Sequence, residues 1–415
     1  MIQKQTAREA AYHWIRSVED GAYSNLLNMG INFLSEEDKK FASKLVLTCI
    51  ERRLTLEHIL KAYLSRPIHK LDKPVYTVLL MGLCQLVYMN VPDSAAVNES
   101  VKLIKKLRHA SAGAMINGVL RSFIRDGKVI PPVDGDECEK LSVEYSVPTE
   151  LIRKVSGAYG MDNAMIWLRR LDMTDDTYIR TNICKTDTEH LLEKLTAEGL
   201  EPSMGPIENS IKLGKTGFDK PSFTDGLYHV QGLSSQMCAD AMGASKGDII
   251  LDICAAPGGK SFTMAEKGAQ VIACELYERR AGLIITENIR LGLDVDVVVN
   301  DGTVYNKTLA GRRPNKVLCD VPCSGYGVSG KPEIRYKPLD SIKDLPELQY
   351  KILCTSAEYL PSGGTLIYST CTVMPDENEG ITDKFLREHP FDKDLEKVIF
   401  ADDRDGFYIC RMIKR

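Results

Sequence analysis

No stretch of this 415-residue chain approaches the ~20 consecutive apolar residues of a membrane span, and the opening MIQKQTAREAAYHWIRS lacks the apolar core of a secretion signal. Both absences predict a cytoplasmic protein with no membrane partner. No CxxC pair occurs. The closest cysteine spacing, Cys319 and Cys323, is CxxxC with no second cluster, so no metal site is expected. The 12 cysteines are scattered rather than dense, which excludes a disulfide scaffold and reads as reduced, mostly buried thiols. There is no internal repeat and no low-complexity segment. What remains is ordinary for a globular protein of two or three domains, with 44% apolar and 27% charged residues.

Charge is unevenly spread. Residues 1–135 carry 19 Lys/Arg against 13 Asp/Glu, a net +6, so the remainder carries −10 of the total −4. A basic first third on an acidic body is the pattern of a region that meets a polyanion; composition drift accounts for it equally well.

Residues 1 to about 130 read as helices throughout. AREAAYHWIRSVEDG opens the first, with Gly21 placed to end it. DKPVYTVLLMGLCQLVYMN is nearly all apolar, too long for a strand, and predicts a buried central helix. An all-α bundle follows. VIPPVDGDE, Val129 to Glu137, reads as a linker. Beyond it, VPTELIRKVSGAYG predicts a helix, and TYIRTNICK, DTEHLLEKLTAEG and SIKLGK a small β-α-β piece. From Asp248 short apolar runs alternate with helical stretches: DIILDI, QVIACE, VDVVVND, KVLCDV and GTLIYST. That alternation predicts a doubly wound, Rossmann-like parallel sheet. The tail KVIFADDRDGFYICRMIKR predicts a closing hairpin turning at Asp-Gly.

LDICAAPGGKS follows the first of these strands and precedes a helix, the place where open α/β sheets bind ligands. Its small residues let a backbone approach a ligand closely. A P-loop needs a glycine where Cys254 stands, and the G-x-G-x-x-G of dinucleotide folds is absent. S-adenosyl-L-methionine, with no pyrophosphate to cradle, is the third option. Asp252, Glu275 and Asp301 close three successive strands, which suits a nucleoside pocket without a phosphate site; singly, each reads as a turn former.

Cys323 and Cys371 leave the ends of the fourth and fifth strands and open onto the same crevice. Taken alone, either is more often a small buried hydrophobe than a nucleophile; Cys254, Cys274 and Cys319 fit that bland reading. A thiolate beside a methyl donor suits one reaction well. The C5 carbon of a pyrimidine attacks poorly until a thiolate adds at C6 and makes C5 enamine-like. Asp320 is placed to stabilise such an adduct at N3, and a second thiol to assist its collapse. The residues alone leave open which thiol attacks. The acids of PDENE, Asp376 and Glu377 after Pro375, read as the first turn of a helix.

CAAPGGK, DVPCSG and YSTC followed by PDENE, in this order and spacing, resemble the motifs of the RNA cytosine-C5 methyltransferases of the Nop2/Sun type. The resemblance runs from about VPTELIRK through IRTN to the end, and the first 130 residues resemble the NusB-type RNA-binding helical domain. It implies a helical domain at 1–132, a small α/β RNA-binding subdomain at 140–228 and an S-adenosyl-L-methionine-dependent methyltransferase domain at 229–415. It implies 16S rRNA as substrate, a monomer, and no DNA partner. It assigns Cys371 as nucleophile and Cys323 to product release, with Asp320 beside the base. Cofactor contacts fall on Cys254, Ala255, Ala256, Pro257, Gly258, Gly259, Lys260, Glu275, Arg280, Asp301 and Asp320. Two departures stand out: Gly232 where the family often has an acid, and Gly330 in a segment that is often doubly basic, leaving Lys331, Arg335 and Lys337 for RNA. In the first domain, Lys102, Lys105, Lys106 and Arg108 form a cluster suited to phosphate or simply to water. The rival readings are a catalytically inert assembly factor that binds RNA, and the same chemistry on tRNA.

Overall fold

The computed structural model describes residues 5–20, 34–173, 176–214, 218–330, 332, 335 and 342–415. The chain forms two compact units, Met1–Gly157 with Lys331–Pro338, and Ala158–Gly330 with Leu339–Arg415.

The first unit is helical, as its apolar periodicity requires. Thr6 caps the helix Ala7–Glu19 in a capping box with Glu9, and Ser35 caps Glu36–Glu51. The expected stop at Gly21 lies outside the described residues. Arg53–Tyr63, Asp93–Lys106 and Gly113–Arg125 surround Lys73–Tyr88, which is buried from Val75 to Leu86. Gly82 lets that central helix meet its neighbour: a Cβ there would lie 2.7 Å from Leu120. The one amide inside it, Gln85, is satisfied by Met81 O and Arg8 Nε, each within 2.9 Å. No helix among the described residues is long and apolar enough to cross a membrane.

Among the described residues the second unit contains two sheets. Strands β1 (Thr177–Thr181), β2 (Pro202–Met204), β3 (Ser210–Leu213) and β4 (Tyr228–Val230) form an antiparallel sheet in the order β2-β3-β1-β4. The larger sheet contains β5 (Ile249–Asp252), β6 (Gln270–Glu275), β7 (Val295–Val299), β8 (Lys316–Asp320), β9 (Thr365–Thr370), β10 (Phe391–Ala401) and β11 (Arg404–Lys414). Its order is β10-β11-β9-β8-β5-β6-β7; β5 to β9 run parallel, and the final hairpin runs antiparallel to β9. The chain winds outward from β5 through β6 to β7, then returns to the other side of β5 through β8 and β9. The switch point between β5 and β8 is where such sheets open a crevice.

The hairpin forms, but it turns at Asp402-Asp403 rather than at Asp405-Gly406. Gly406 lies within β11 because it must pass close to another backbone: a Cβ on Gly327 would lie 2.1 Å from Gly406 O.

Candidate active site

The loop after β5 is shaped by glycine where a side chain would not fit. Gly258 sits at φ +109°, and a Cβ there would fall 2.4 Å from the Phe262 ring. Ala255 N donates to Cys274 O at 2.9 Å, fastening the loop to β6 before the helix Gly259–Glu266 begins. Asp252 is buried at the end of β5. Its Oδ2 accepts from Ser261 Oγ at 2.7 Å, and its Oδ1 has no hydrogen-bond partner among the described residues. Burial pushes its carboxyl up to about 7.

Glu275 ends β6 with its side chain buried. Its Oε1 accepts from Tyr277 N at 3.2 Å and Arg280 Nη1 at 3.3 Å, while Arg280 Nη2 donates to Ala256 O at 3.0 Å. Arg280 is therefore the tie between the glycine loop and the acid of the next strand. Asp301 is exposed and caps its own turn, accepting from Thr303 N at 2.9 Å and Thr303 Oγ1 at 2.8 Å; those two bonds hold its carboxyl below the usual range. The buried group at the end of β7 is its neighbour Asn300. Asn300 Oδ1 accepts from Asn306, and its Nδ2 has no partner among the described residues. Asn300 is a residue that the motif reading missed.

These three strand ends fit the nucleoside part of S-adenosyl-L-methionine. They offer an idle carboxylate oxygen, an idle amide N–H and a backbone that can be approached. They do not fit a phosphate, because Lys260 is turned away. Its Nζ lies 2.5 Å from Asp320 Oδ2 and 5.3 Å from the centre of the Phe407 ring. Burial alone would lower the Lys260 ammonium, yet Asp320 beside it raises it above the usual lysine range.

Asp320 closes β8 in register with Ser369 of β9, and its Oδ1 accepts from Ser369 Oγ at 2.9 Å. Beyond these strand ends the two thiols meet: Cys323 Sγ and Cys371 Sγ are 3.3 Å apart, and neither is in a disulfide. The hydrogen bond to Cys371, burial and the nearby acids Glu377 and Asp320 push the Cys323 thiol well up. A cavity of about 410 Å³ opens beside them, lined by Cys371, Asp320, Lys260, Ser235, Arg404 and Phe407 among others. Cys371 lines it and Cys323 does not. Gly232, the departure from the family pattern, also lines it. Of the other cysteines on these strands, Cys274 and Cys319 are fully buried with thiols pushed up to about 12, and burial likewise pushes Cys254 well up.

Two expectations need correction. The helix after Cys371 starts at Glu379, so Asp376 and Glu377 lie in the preceding turn rather than in its first turn, and the Glu377 side chain is buried. Arg335 is buried and donates to Tyr145 O at 3.0 Å, which makes it an anchor of the first unit rather than a free arm for RNA. Lys331 and Lys337 lie outside the described residues. Among the described residues no cluster could hold a metal ion.

Comparison with known proteins places both regions. Residues 239–409 match the family described as 16S rRNA methyltransferase RsmB/F, and residues 5–125 match the NusB family. The chain is 34% identical to the probable ribosomal RNA small subunit methyltransferase B of Bacillus subtilis, with 100% of both chains covered. It is 30% identical to ribosomal RNA small subunit methyltransferase B of Sodalis glossinidius, over 92% of this chain and 91% of that one. Among solved structures, PH0851 is similar over 100% of this chain and 99% of its own, with a TM-score of 0.79 at 21% identity. NSun6 from Pyrococcus horikoshii with SFG is similar over 64% of this chain and 98% of its own, with a TM-score of 0.58 at 20% identity. Both structures share the fold.

Proposed function

This chain belongs to the ribosomal RNA small subunit methyltransferase B family, and from that premise we propose that it methylates C5 of a cytosine in 16S rRNA through a covalent adduct between Cys371 and C6. When bound, S-adenosyl-L-methionine supplies an electrophilic methyl group on its sulfonium. Cys254 to Lys260, Glu275, Arg280 and Asp301 are its holding residues in this reading, with Asp252 and Asn300 added by their idle polar atoms.

The cytosine enters the cavity beside Cys371, turned out of its helix at a cost of a few kcal/mol, roughly. The Cys371 thiolate forms a bond to C6, and the displaced electron pair makes C5 nucleophilic. The proton that the Cys371 thiol gives up ends on N3 and returns to the Cys371 sulfur when it is expelled; while on N3 it is donated in a hydrogen bond to Asp320, whose carboxylate Lys260 holds in place. Cys323 then acts at the second stage. While Cys371 is a thiolate, its charge and hydrogen bond keep Cys323 protonated. Once the Cys371 sulfur is bonded to C6 that contribution is gone, while burial, Glu377 and Asp320 remain, and Cys323 is the neighbouring base in this reading that takes the C5 proton. The C5 electrons re-form the C5–C6 double bond and expel Cys371.

The observation that carries this reading is the pair of sulfurs 3.3 Å apart at the ends of β8 and β9, with Cys371 alone lining the cavity that Asp320 and Lys260 share. The RNA-facing part of the proposal rests on the first unit, where Lys102, Lys105, Lys106 and Arg108 are exposed, although Lys102 is paired with Glu99 and Lys106 with Glu9. Bisulfite sequencing of rRNA and tRNA from cells with and without the gene tests it. One 16S cytosine should lose its protection. A lost cytosine in tRNA instead would move the substrate, and none lost in any RNA would leave an inert assembly factor.

A further inference from the structure

The turn just beyond Cys371 buries an acid that the chemistry above does not use. Glu377 is 2% exposed. Its Oε2 accepts two hydrogen bonds, from Ser324 N at 2.9 Å and from Gln349 Nε2 at 2.8 Å. Gln349, itself fully buried, donates from the same nitrogen to Pro322 O at 2.9 Å. Pro322 and Ser324 flank Cys323, so one carboxylate oxygen fixes the loop on both sides of that thiol. Two further ties run between the same segments: Ser324 Oγ shares a 2.8 Å hydrogen bond with Thr372 Oγ1, and Gly327 N donates to Cys371 O at 3.1 Å.

Glu377 Oε1 has no hydrogen-bond partner among the described residues. A buried carboxylate with one oxygen idle is a costly way to hold a turn together, because desolvating its charge offsets much of what its two hydrogen bonds contribute. Its placement accounts for it better than stability does. The releasing thiol sits on a loop, and a loop alone tolerates shifts of the order of an ångström that proton transfer does not.

We propose that Glu377 is a positioning residue of the two-thiol site: through Ser324 N–H and Gln349 it holds the Cys323 sulfur against that of Cys371, and its loss uncouples product release from adduct formation. This rests on the assignment of Cys323 to release. The backbone of Cys371 leaves β9 directly and keeps its own tie to Gly327, so formation of the S–C6 bond depends less on Glu377 than release does.

The test is a denaturing gel of the full-length protein with S-adenosyl-L-methionine and the RNA substrate, run beside first-turnover methylation. Glu377→Met keeps the volume and removes the acceptor. It should accumulate the covalent protein–RNA species and lose at least about tenfold in turnover while first-turnover adduct formation changes by less than roughly threefold. Glu377→Gln presents an amide oxygen to the same two donors and should release product within about threefold of the parent. Should Glu377→Met not fold, Gln349→Met cuts the same strut from the other side and must accumulate the adduct. Release at the parent rate, or formation and release falling in parallel, overturns the inference, as does failure of Glu377→Gln to restore release. Cys323→Ala on the same gel separates the two readings. No adduct in Cys323→Ala overturns the two-thiol assignment itself; adduct there with none in Glu377→Met overturns only the role of Glu377.

Discussion

The carboxyl edge of the large sheet is built in two manners on its two sides. At the ends of β5, β6 and β7, polar side chains keep spare capacity: Asp252 Oδ1 and Asn300 Nδ2 are buried without partners among the described residues, and the glycine loop is shaped for close approach. At the ends of β8 and β9, nearly every group is already tied to another. Lys260 and Ser369 hold Asp320, Gln349 and Ser324 hold Glu377, and each thiol holds the other. The first side is finished by a diffusible ligand that brings its own hydrogen-bonding groups. The second makes and breaks a covalent bond, where reacting atoms must be in place beforehand. On the first side the idle atoms of Asp252 and Asn300 face where a ligand would bind; on the second, the one idle oxygen, Glu377 Oε1, belongs to a carboxylate whose other oxygen is already tied to the loop that carries Cys323.

Substitutions on the two sides should separate accordingly. The largest effect is expected for Cys371→Ala: methylation falls by roughly 10⁴-fold or more, the scale of losing a nucleophile, while calorimetric binding of S-adenosyl-L-methionine is unchanged. Weakened cofactor binding in that variant would erase the division between the sides. Cys323→Ala should slow turnover by about 10²–10⁴-fold, the range of a lost general base, and trap the protein–RNA adduct; unimpaired turnover would remove its role.

On the cofactor side the expected signal is thermodynamic. Burial raises the Asp252 carboxyl to about 7 from an unfolded value near 4, so the folded state prefers the protonated form. Its contribution is fully present below about pH 4 and is lost as pH rises through about 7, on the order of 4 kcal/mol across that window. Asp252→Asn should flatten this fall in thermal unfolding of the ligand-free protein between pH 4 and 8. The same pH slope in both proteins would show that the carboxyl is not the source. The smallest effect is expected for Arg280→Met. Its guanidinium is half exposed beside Glu275, so cofactor affinity should drop by less than about tenfold with the chemical step intact. A larger loss in single-turnover rate than in affinity would place Arg280 on the other side.

Much of this was legible because parallel strands buried on both faces write themselves as short apolar runs, and the runs beginning at Asp248 coincide with β5 to β9. The thiols and Asp320 were legible because they stand where those runs stop. What escaped depends on residues distant in the chain. Asp405-Gly406 has turn composition, but its glycine serves a close passage past Gly327, 79 residues earlier. Arg280 entered only through the family resemblance, and its own tie to Ala256 O and Glu275 is visible only in the fold. Asp301 drew attention as an acid at a strand end, whereas the idle buried group is the amide beside it. Glu377 follows a proline and suits a helix start, and only the fold brings Ser324 and Gln349 onto it.

The most direct test of the central claim is to map the covalent bond itself. RNA carrying 5-fluorocytosine at the target has no C5 proton to give up, so release is blocked and the parent enzyme should stall as an adduct. After proteolysis, mass spectrometry should find the nucleotide on the peptide containing Cys371. The nucleotide on the peptide containing Cys323, or no adduct from a protein that still methylates normal RNA, would contradict the account.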